Sequence, residues 1–208
     1  MKVVIVDYGL GNLVSIYNTL KKIGATAIIS GDRNVISKAE KLILPGVGQF
    51  QKGIDNIKNS GFHDLLNELV LDKKIPILGI CLGAQLFCKY SEEGGSEGLG
   101  WIDADVLKFR IEDKLRFKIP HIGWNTTKIR TLMKDDYYIN LEKLDNPEFY
   151  FVHSYNINCK NTEDVWMTSQ YEYEFVSAVK KNNIIGTQFH PEKSYENGVE
   201  LLKQFLLI

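Results

Sequence analysis

The sequence predicts an α/β fold: an open, mostly parallel central sheet with helices on both faces and antiparallel strands added in the second half. Three observations carry this. Short apolar runs alternate with helical patterns as far as Tyr90. Beyond that point strand-like segments follow one another with turn residues between them. One apolar-periodic stretch then closes the chain. A β-α-β alternation lays helices over a parallel sheet, and a later run of strands adds antiparallel partners at its edge.

Residues 3–6 read as a buried first strand. Leu13, Ile16, Tyr17, Leu20 and Ile23 recur at helical spacing, with Asn12 placed to cap the start and Gly24 the end. Residues 26–29 and 41–44 are the next strands. Helical patterns cover 50–58 and 62–72, split by Ser60-Gly61, and 75–80 is a fourth strand followed by a helix over 82–90. Residues 91–100, with Gly94, Gly95, Gly98 and Gly100, read as a surface loop. The strand-like segments of the second half are 106–109, 116–119, 126–129, 148–152, 165–170, 175–179 and 184–188, and the closing helix is 199–207. No linker, repeat or low-complexity stretch divides the chain, so a single domain over residues 1–208 is expected.

At 208 residues, 44% hydrophobic and 25% charged, the chain reads as an ordinary soluble globular protein. A formal net charge of -1 argues against a broadly basic nucleic-acid binder or a membrane-surface protein. The three cysteines, Cys81, Cys88 and Cys159, are odd in number and fit neither a disulfide framework nor a metal site. An apolar stretch of only four residues precedes Asp7, too short for a signal-peptide core. A cytoplasmic protein without metal or cofactor is the expectation.

Chemistry concentrates in two segments. Cys81 stands in Gly79-Ile80-Cys81-Leu82-Gly83, directly after an apolar strand. Gln188-Phe189-His190-Pro191-Glu192 ends another. A nucleophile on a strand-turn-helix elbow projects beyond the carboxyl edge of the sheet, and flanking glycines relieve crowding there. The following helix would aim its N–H groups, that of Leu82 first, at a developing oxyanion. His190 can take the thiol proton and return it to a leaving nitrogen, and Glu192 can orient the imidazole. Two readings stand on chemistry alone: a small buried Cys with an unrelated histidine, or a thiol acyl-transfer site. Cys88 reads as core, Cys159 has no role, and His63 reads as a surface residue.

Gly79-Ile80-Cys81-Leu82-Gly83-Ala84-Gln85 together with the His-Pro-Glu signature resembles the class I, triad-type glutamine amidotransferases. Within them, Asp7-Tyr8-Gly9-Leu10-Gly11-Asn12, Leu44-Pro45-Gly46-Val47-Gly48, Pro120-His121-Ile122-Gly123-Trp124-Asn125 and Tyr150-Phe151-Val152-His153-Ser154-Tyr155 are similar to the glutaminase subunits of imidazole glycerol phosphate synthase. The resemblance runs over the whole chain. It implies Cys81, His190 and Glu192 as catalytic residues, with the Val47 and Leu82 amides as oxyanion donors. Gly48, Gln85, Glu93, Ser154 and Tyr155 match positions that hold glutamine. Asn12, Trp124 and Tyr150 match the face that meets a partner, in that family a βα-barrel cyclase carrying an ammonia channel. His121 and His153 are expected to be structural. The resemblance further implies a glutaminase nearly silent until the barrel is bound, with the oxyanion strand as the switch.

The chain departs from the pattern at Ala84, where the common histidine-pathway sequences carry Met, and in the loop Gly94-Gly95-Ser96-Glu97. Those departures, with Gly100-Trp101-Ile102-Asp103, leave an alternative: a second-copy glutaminase feeding ammonia to the amidination of a surface sugar. A partner-binding module without activity and a thiol peptidase are the remaining alternatives. The intact triad pattern argues against the first, and the His-Pro-Glu and glutamine-site motifs against the second.

Overall fold

The computed structural model describes residues 2–130 and 146–208. Strand β1 (Lys2–Val6) shows how the sequence divides the core. Val4 and Val6 pack into one apolar cluster and Val3 and Ile5 into another, because successive side chains of a strand face opposite ways. β3 (Lys41–Gly46) repeats the pattern, with Leu42 and Leu44 on one face and Ile43 on the other. Both faces therefore need cover.

Helices α3 (Phe50–Asn59) and α4 (Phe62–Asn67), the latter running into a π-helical turn at Glu68–Asp72, bring Phe50, Ile54, Ile57, Leu66 and Leu69 to the first face. The short α2 (Arg33–Ile36) adds Ile36. Helices α1 (Leu13–Lys22) and α6 (Tyr195–Leu207) cover the second face through Ile16, Leu20, Leu201, Leu202 and Phe205. α1 ends as its sequence suggests. Gly24 takes a φ of 82°, and the N–H groups of Gly24 and Ala25 return to the carbonyls of Lys21 and Leu20. Its start differs: Asn12 holds the N-cap position, but its side chain makes no capping bond.

The central strands β2 (Thr26–Ser30), β1, β3, β4 (Ile77–Cys81) and β13 (Ile184–Thr187) lie side by side and all run parallel. Beyond β13 the sheet continues through β12 (Glu174–Lys181), β10 (Tyr155–Cys159) and β7 (Ile102–Lys108), each antiparallel to the one before. β11 (Val165–Gln170), β8 (His121–Ile129) and β9 (Glu148–His153) branch off β12 as an antiparallel layer.

Three expectations need correction. The helix over 82–90 is one turn, α5 (Leu82–Gln85), followed by strand β5 (Cys88–Ser91). Residues 98–102 fold back so that Leu99, Ile102 and Gly100 donate to the carbonyls of Leu86, Phe87 and Cys88, and the first of these is an acceptor the expected helix would have used. The glycine-rich stretch after it is partly a hairpin, β5 with β6 (Ser96–Glu97), rather than a bare loop. Residues 116–119 are not a strand. Asp113 Oδ1 accepts the N–H groups of Leu115 and Arg116, and this turn diverts the backbone. Among the described residues no helix is long and apolar enough to cross a membrane.

Candidate active site

Parallel register sets the site. Gly46 at the end of β3 pairs with Cys81 at the end of β4, and Thr187 at the end of β13 pairs with Ile80. The chain leaving β3 and the chain leaving β13 therefore flank Cys81 on either side, at the carboxyl edge where open α/β sheets bind ligands.

Cys81 holds φ 53° and ψ -111°. A positive φ is strained for any residue with a Cβ, and strain of this kind concentrates at sites that must present one side chain. The glycines around it are there for space. A Cβ on Gly79 would come within 2.7 Å of the Ala84 backbone, and one on Gly83 would lie 1.9 Å from the Leu44 carbonyl oxygen. Ala84 is buried between Gly79 and Gly186, which is why so small a residue fits this turn. With α5 a single turn, any help to an oxyanion comes from local N–H groups, not from a long helix dipole.

Across the elbow, His190 Nδ1 and Glu192 Oε1 are 2.8 Å apart, and both side chains are almost fully buried. A carboxylate only accepts, so Nδ1 carries a proton toward Glu192, and Nε2 is the nitrogen left to exchange a proton with Cys81. Nε2 has no well-aligned bond among the described residues. The Cys81 sulfur is near enough to act on the ring. Burial works to lower the His190 pKa, but Cys81 and then Glu192 outweigh it and lift the value to about 9. Ser194 locks the backbone here: its Oγ donates to the His190 carbonyl at 2.6 Å and accepts the Tyr150 N–H at 3.0 Å.

The other thiols differ. Cys88 is fully buried, and burial, then Cys159 and Asp105, keep it protonated well above the ordinary range. Burial, with Asp164, pushes Cys159 up to about 12.

A second buried pair lies next door. His153 Nδ1 faces the Tyr155 carbonyl at 2.7 Å and its Nε2 faces His121 Nδ1 at 3.1 Å. Burial lowers His153 to about 3 and His121 to about 4, so both are neutral and structural in character. The pairs have opposite pH signatures. His121 and His153 contribute stability that is full above about 6.5, their unfolded value, and lost as pH falls toward their folded values. His190 contributes stability that is full below about 6.5 and lost as pH rises through its folded value. Thermal melts are therefore expected to peak near neutral pH and fall on both sides. His190→Gln should flatten the alkaline side only.

Leu82 is buried as the first residue of α5, and Val47 is 41% exposed beside the elbow. The two glycines around Val47 are not alike. A Cβ on Gly46 would meet the Gly83 nitrogen at 2.6 Å, whereas Gly48 has open space but a φ of 116°. Gly46 is glycine for want of space, and Gly48 for a torsion that side chains rarely adopt. Gln85 is buried, and its Nε2 donates to the Gln188 Oε1 at 2.9 Å and the Tyr155 carbonyl at 3.2 Å. Glu93 accepts the Phe50 N–H at the start of α3 at 2.8 Å. Burial, then the charges of Glu93 and Glu92, raise the Tyr155 phenol. Ser154 stands between β9 and β10, half-buried.

A family model, glutamine amidotransferase class-I, matches residues 4–208. The chain belongs to the class-I glutamine amidotransferases. This amidotransferase is 50% identical over 206 residues to "Imidazole glycerol phosphate synthase subunit HisH 2" of Methanococcus maripaludis, covering 98% of each chain. It is 46% identical to the HisH 1 subunit of Campylobacter jejuni, again over 98% of each. A crystal structure of a glutamine amidotransferase shares the fold at 17% identity, with a TM-score of 0.75, over 99% of this chain and 97% of that one.

The amidotransferase carries an aromatic cluster of exposed Trp124 on β8, half-buried Tyr150 on β9 and exposed Tyr195 on α6. Trp124 pairs in register with Tyr150, and its ring stacks on Tyr195 at 5.0 Å. Lys193 Nζ lies 5.7 Å from the centre of the Tyr150 ring. A cleft of about 1220 Å³ opens here between α1 and α6, lined by Lys22, Trp124, Glu192, Tyr195 and Lys203 among others. Asn12 is exposed at the N-cap of α1. Sequence reasoning missed Tyr8, Gln188, Ser194 and Tyr195. Tyr8 is buried with its hydroxyl 2.6 Å from the Pro45 carbonyl, and burial, then Cys81, push its phenol far above the ordinary range. Tyr8 and Gln188 stand inside the family-like motifs and were open to assignment; Ser194 and Tyr195 carry no signal of their own.

Proposed function

We propose that this amidotransferase is the glutaminase subunit of an imidazole glycerol phosphate synthase, releasing ammonia from glutamine for a partner subunit. The observation that carries the reading is the buried His190–Glu192 pair set against a strained Cys81. In the proposed reaction the Cys81 proton passes to His190 Nε2, and Sγ attacks the side-chain amide carbon of glutamine. The carbonyl oxygen, now anionic, takes donors from the Leu82 and Val47 amides. The tetrahedral adduct collapses, the C–N bond breaks, and ammonia leaves with the proton from His190. Water, deprotonated by the same imidazole, then attacks the thioester carbon; the C–S bond breaks, glutamate is released, and the proton on His190 is again shared with Sγ. Glu192 holds the ring tautomer throughout. Gln85, Gly48, Glu93, Ser154 and Tyr155 are proposed to surround the substrate.

The relatives' names support this pathway over the surface-sugar alternative. The proposed partner is a βα-barrel cyclase docking on the Trp124–Tyr150 face, whose Tyr150 carbonyl accepts the His190 N–H at 2.9 Å. That bond puts the docking strand one contact from the proposed base. Mixing the chain with a cognate barrel and its ligand is expected to raise glutamate release at least about 100-fold, the typical worth of completing an oxyanion hole. Release that ignores the barrel would remove the partner from the reading. Gly48→Ala is expected to change the uncoupled rate while leaving the chain folded.

A further inference from the structure

Among the described residues, Gln188 is the polar side chain touching the Cys81 sulfur whose place in the chemistry is still open. It is fully buried, its Nε2 lies 3.7 Å from Sγ, and its Oε1 accepts from Gln85. The surrounding groups settle which end of the amide faces the sulfur. The Tyr155 carbonyl can only accept, so Gln85 must present its Nε2 there. The same nitrogen is then what Gln188 meets, so Gln188 turns its oxygen to Gln85 and its N–H to Cys81. His190 reaches the sulfur from the same chain segment, two residues further on.

We propose that Gln188 is a further residue of the reacting centre, one that stabilises the anionic form of the Cys81 sulfur through its side-chain N–H. An N–H donor gains more from an anionic sulfur than from a neutral thiol, and burial strengthens the contact. The donation makes proton transfer from Sγ to His190 easier and leaves the sulfur charged and aimed. Through Gln85 the same amide is anchored to the Tyr155 backbone, so the donor is preset before any substrate arrives. The inference rests on Cys81 as the nucleophile of the proposed reaction.

The test is alkylation of Cys81 by iodoacetamide at neutral pH in the full chain, followed by mass spectrometry of the Cys81 peptide. Gln188→Leu is expected to slow alkylation about tenfold, the scale of one lost charge-assisted donor. The sign is diagnostic. If Gln188 merely filled space, its loss would loosen the pocket and speed the reaction of a buried thiol. Gln188→Glu is the second variant: it keeps the bond from Gln85 and puts an oxygen where the N–H was, so it too should slow alkylation. A circular-dichroism spectrum establishes which variants are folded. Alkylation as fast as wild type, or faster, in a folded variant overturns the role of Gln188. Glutamine hydrolysis persisting in Cys81→Ser would instead overturn the nucleophile, so the two failures are distinct.

Discussion

Cys81→Ser is expected to abolish glutamine hydrolysis, lowering glutamate release by at least about 10⁴-fold in the presence of the barrel partner, as loss of a nucleophile that acts with its base typically does. The loss is chemical. Serine fits the same elbow and the same positive φ, so the variant should melt close to wild type. A hydroxyl is a far weaker acid than a thiol, and His190 and Glu192 are arranged to stabilise an imidazolium against a sulfur anion. Cys159→Ser is the control, since burial already holds that thiol protonated. Equal loss in both variants would mean that the activity depends on cysteine packing, and undiminished activity in Cys81→Ser would sink the mechanism.

The elbow was legible because it is written locally. An apolar strand, two glycines and a cysteine between them specify a sharp turn, and the β-α-β alternation around it specifies a parallel sheet, as β3 and β4 form. His190 and Glu192 were legible for a different reason: they form a His-Pro-Glu signature immediately beyond an apolar strand, which the structure sets next to β4. What local pattern could not show was competition for backbone partners. Residues 82–90 have the composition of a helix, but Leu99 captures the Leu86 carbonyl that its last turn needs, and Ile102 and Gly100 bond the carbonyls of Phe87 and Cys88. Nothing in the sequence spacing reveals that fold-back. Glu93 is the same lesson for the site, because its bond to the Phe50 N–H depends on two segments that meet only in three dimensions. The unequal glycines of the oxyanion strand are another. Gly46 and Gly48 look symmetrical around Val47, yet one is fixed by the packing of the elbow and the other by its own torsion.

Gly83→Ala should be among the most damaging single substitutions in the chain. A Cβ there would lie 1.9 Å from the Leu44 oxygen, 2.8 Å from the Leu44 carbonyl carbon and 3.2 Å from the Pro45 carbonyl carbon. All three are backbone atoms of β3, which is hydrogen-bonded on both sides within the parallel sheet. No side chain can swing away, so either α5 lifts off the sheet or β3 shifts. Both moves separate Cys81 from the Gly46–Gly48 segment. The expected cost exceeds about 4 kcal/mol, in the exceptional range reached when a core cannot absorb added volume. Gly100→Ala supplies the contrast. Gly100 has a φ of 70°, but an added methyl group there would meet nothing within 4 Å, so it should lose only the torsional cost of about 1–2 kcal/mol. Urea unfolding of the two variants separates clash from torsion. If Gly83→Ala unfolds no more easily than Gly100→Ala, the close seat of the elbow on β3 is not what holds Cys81 in place.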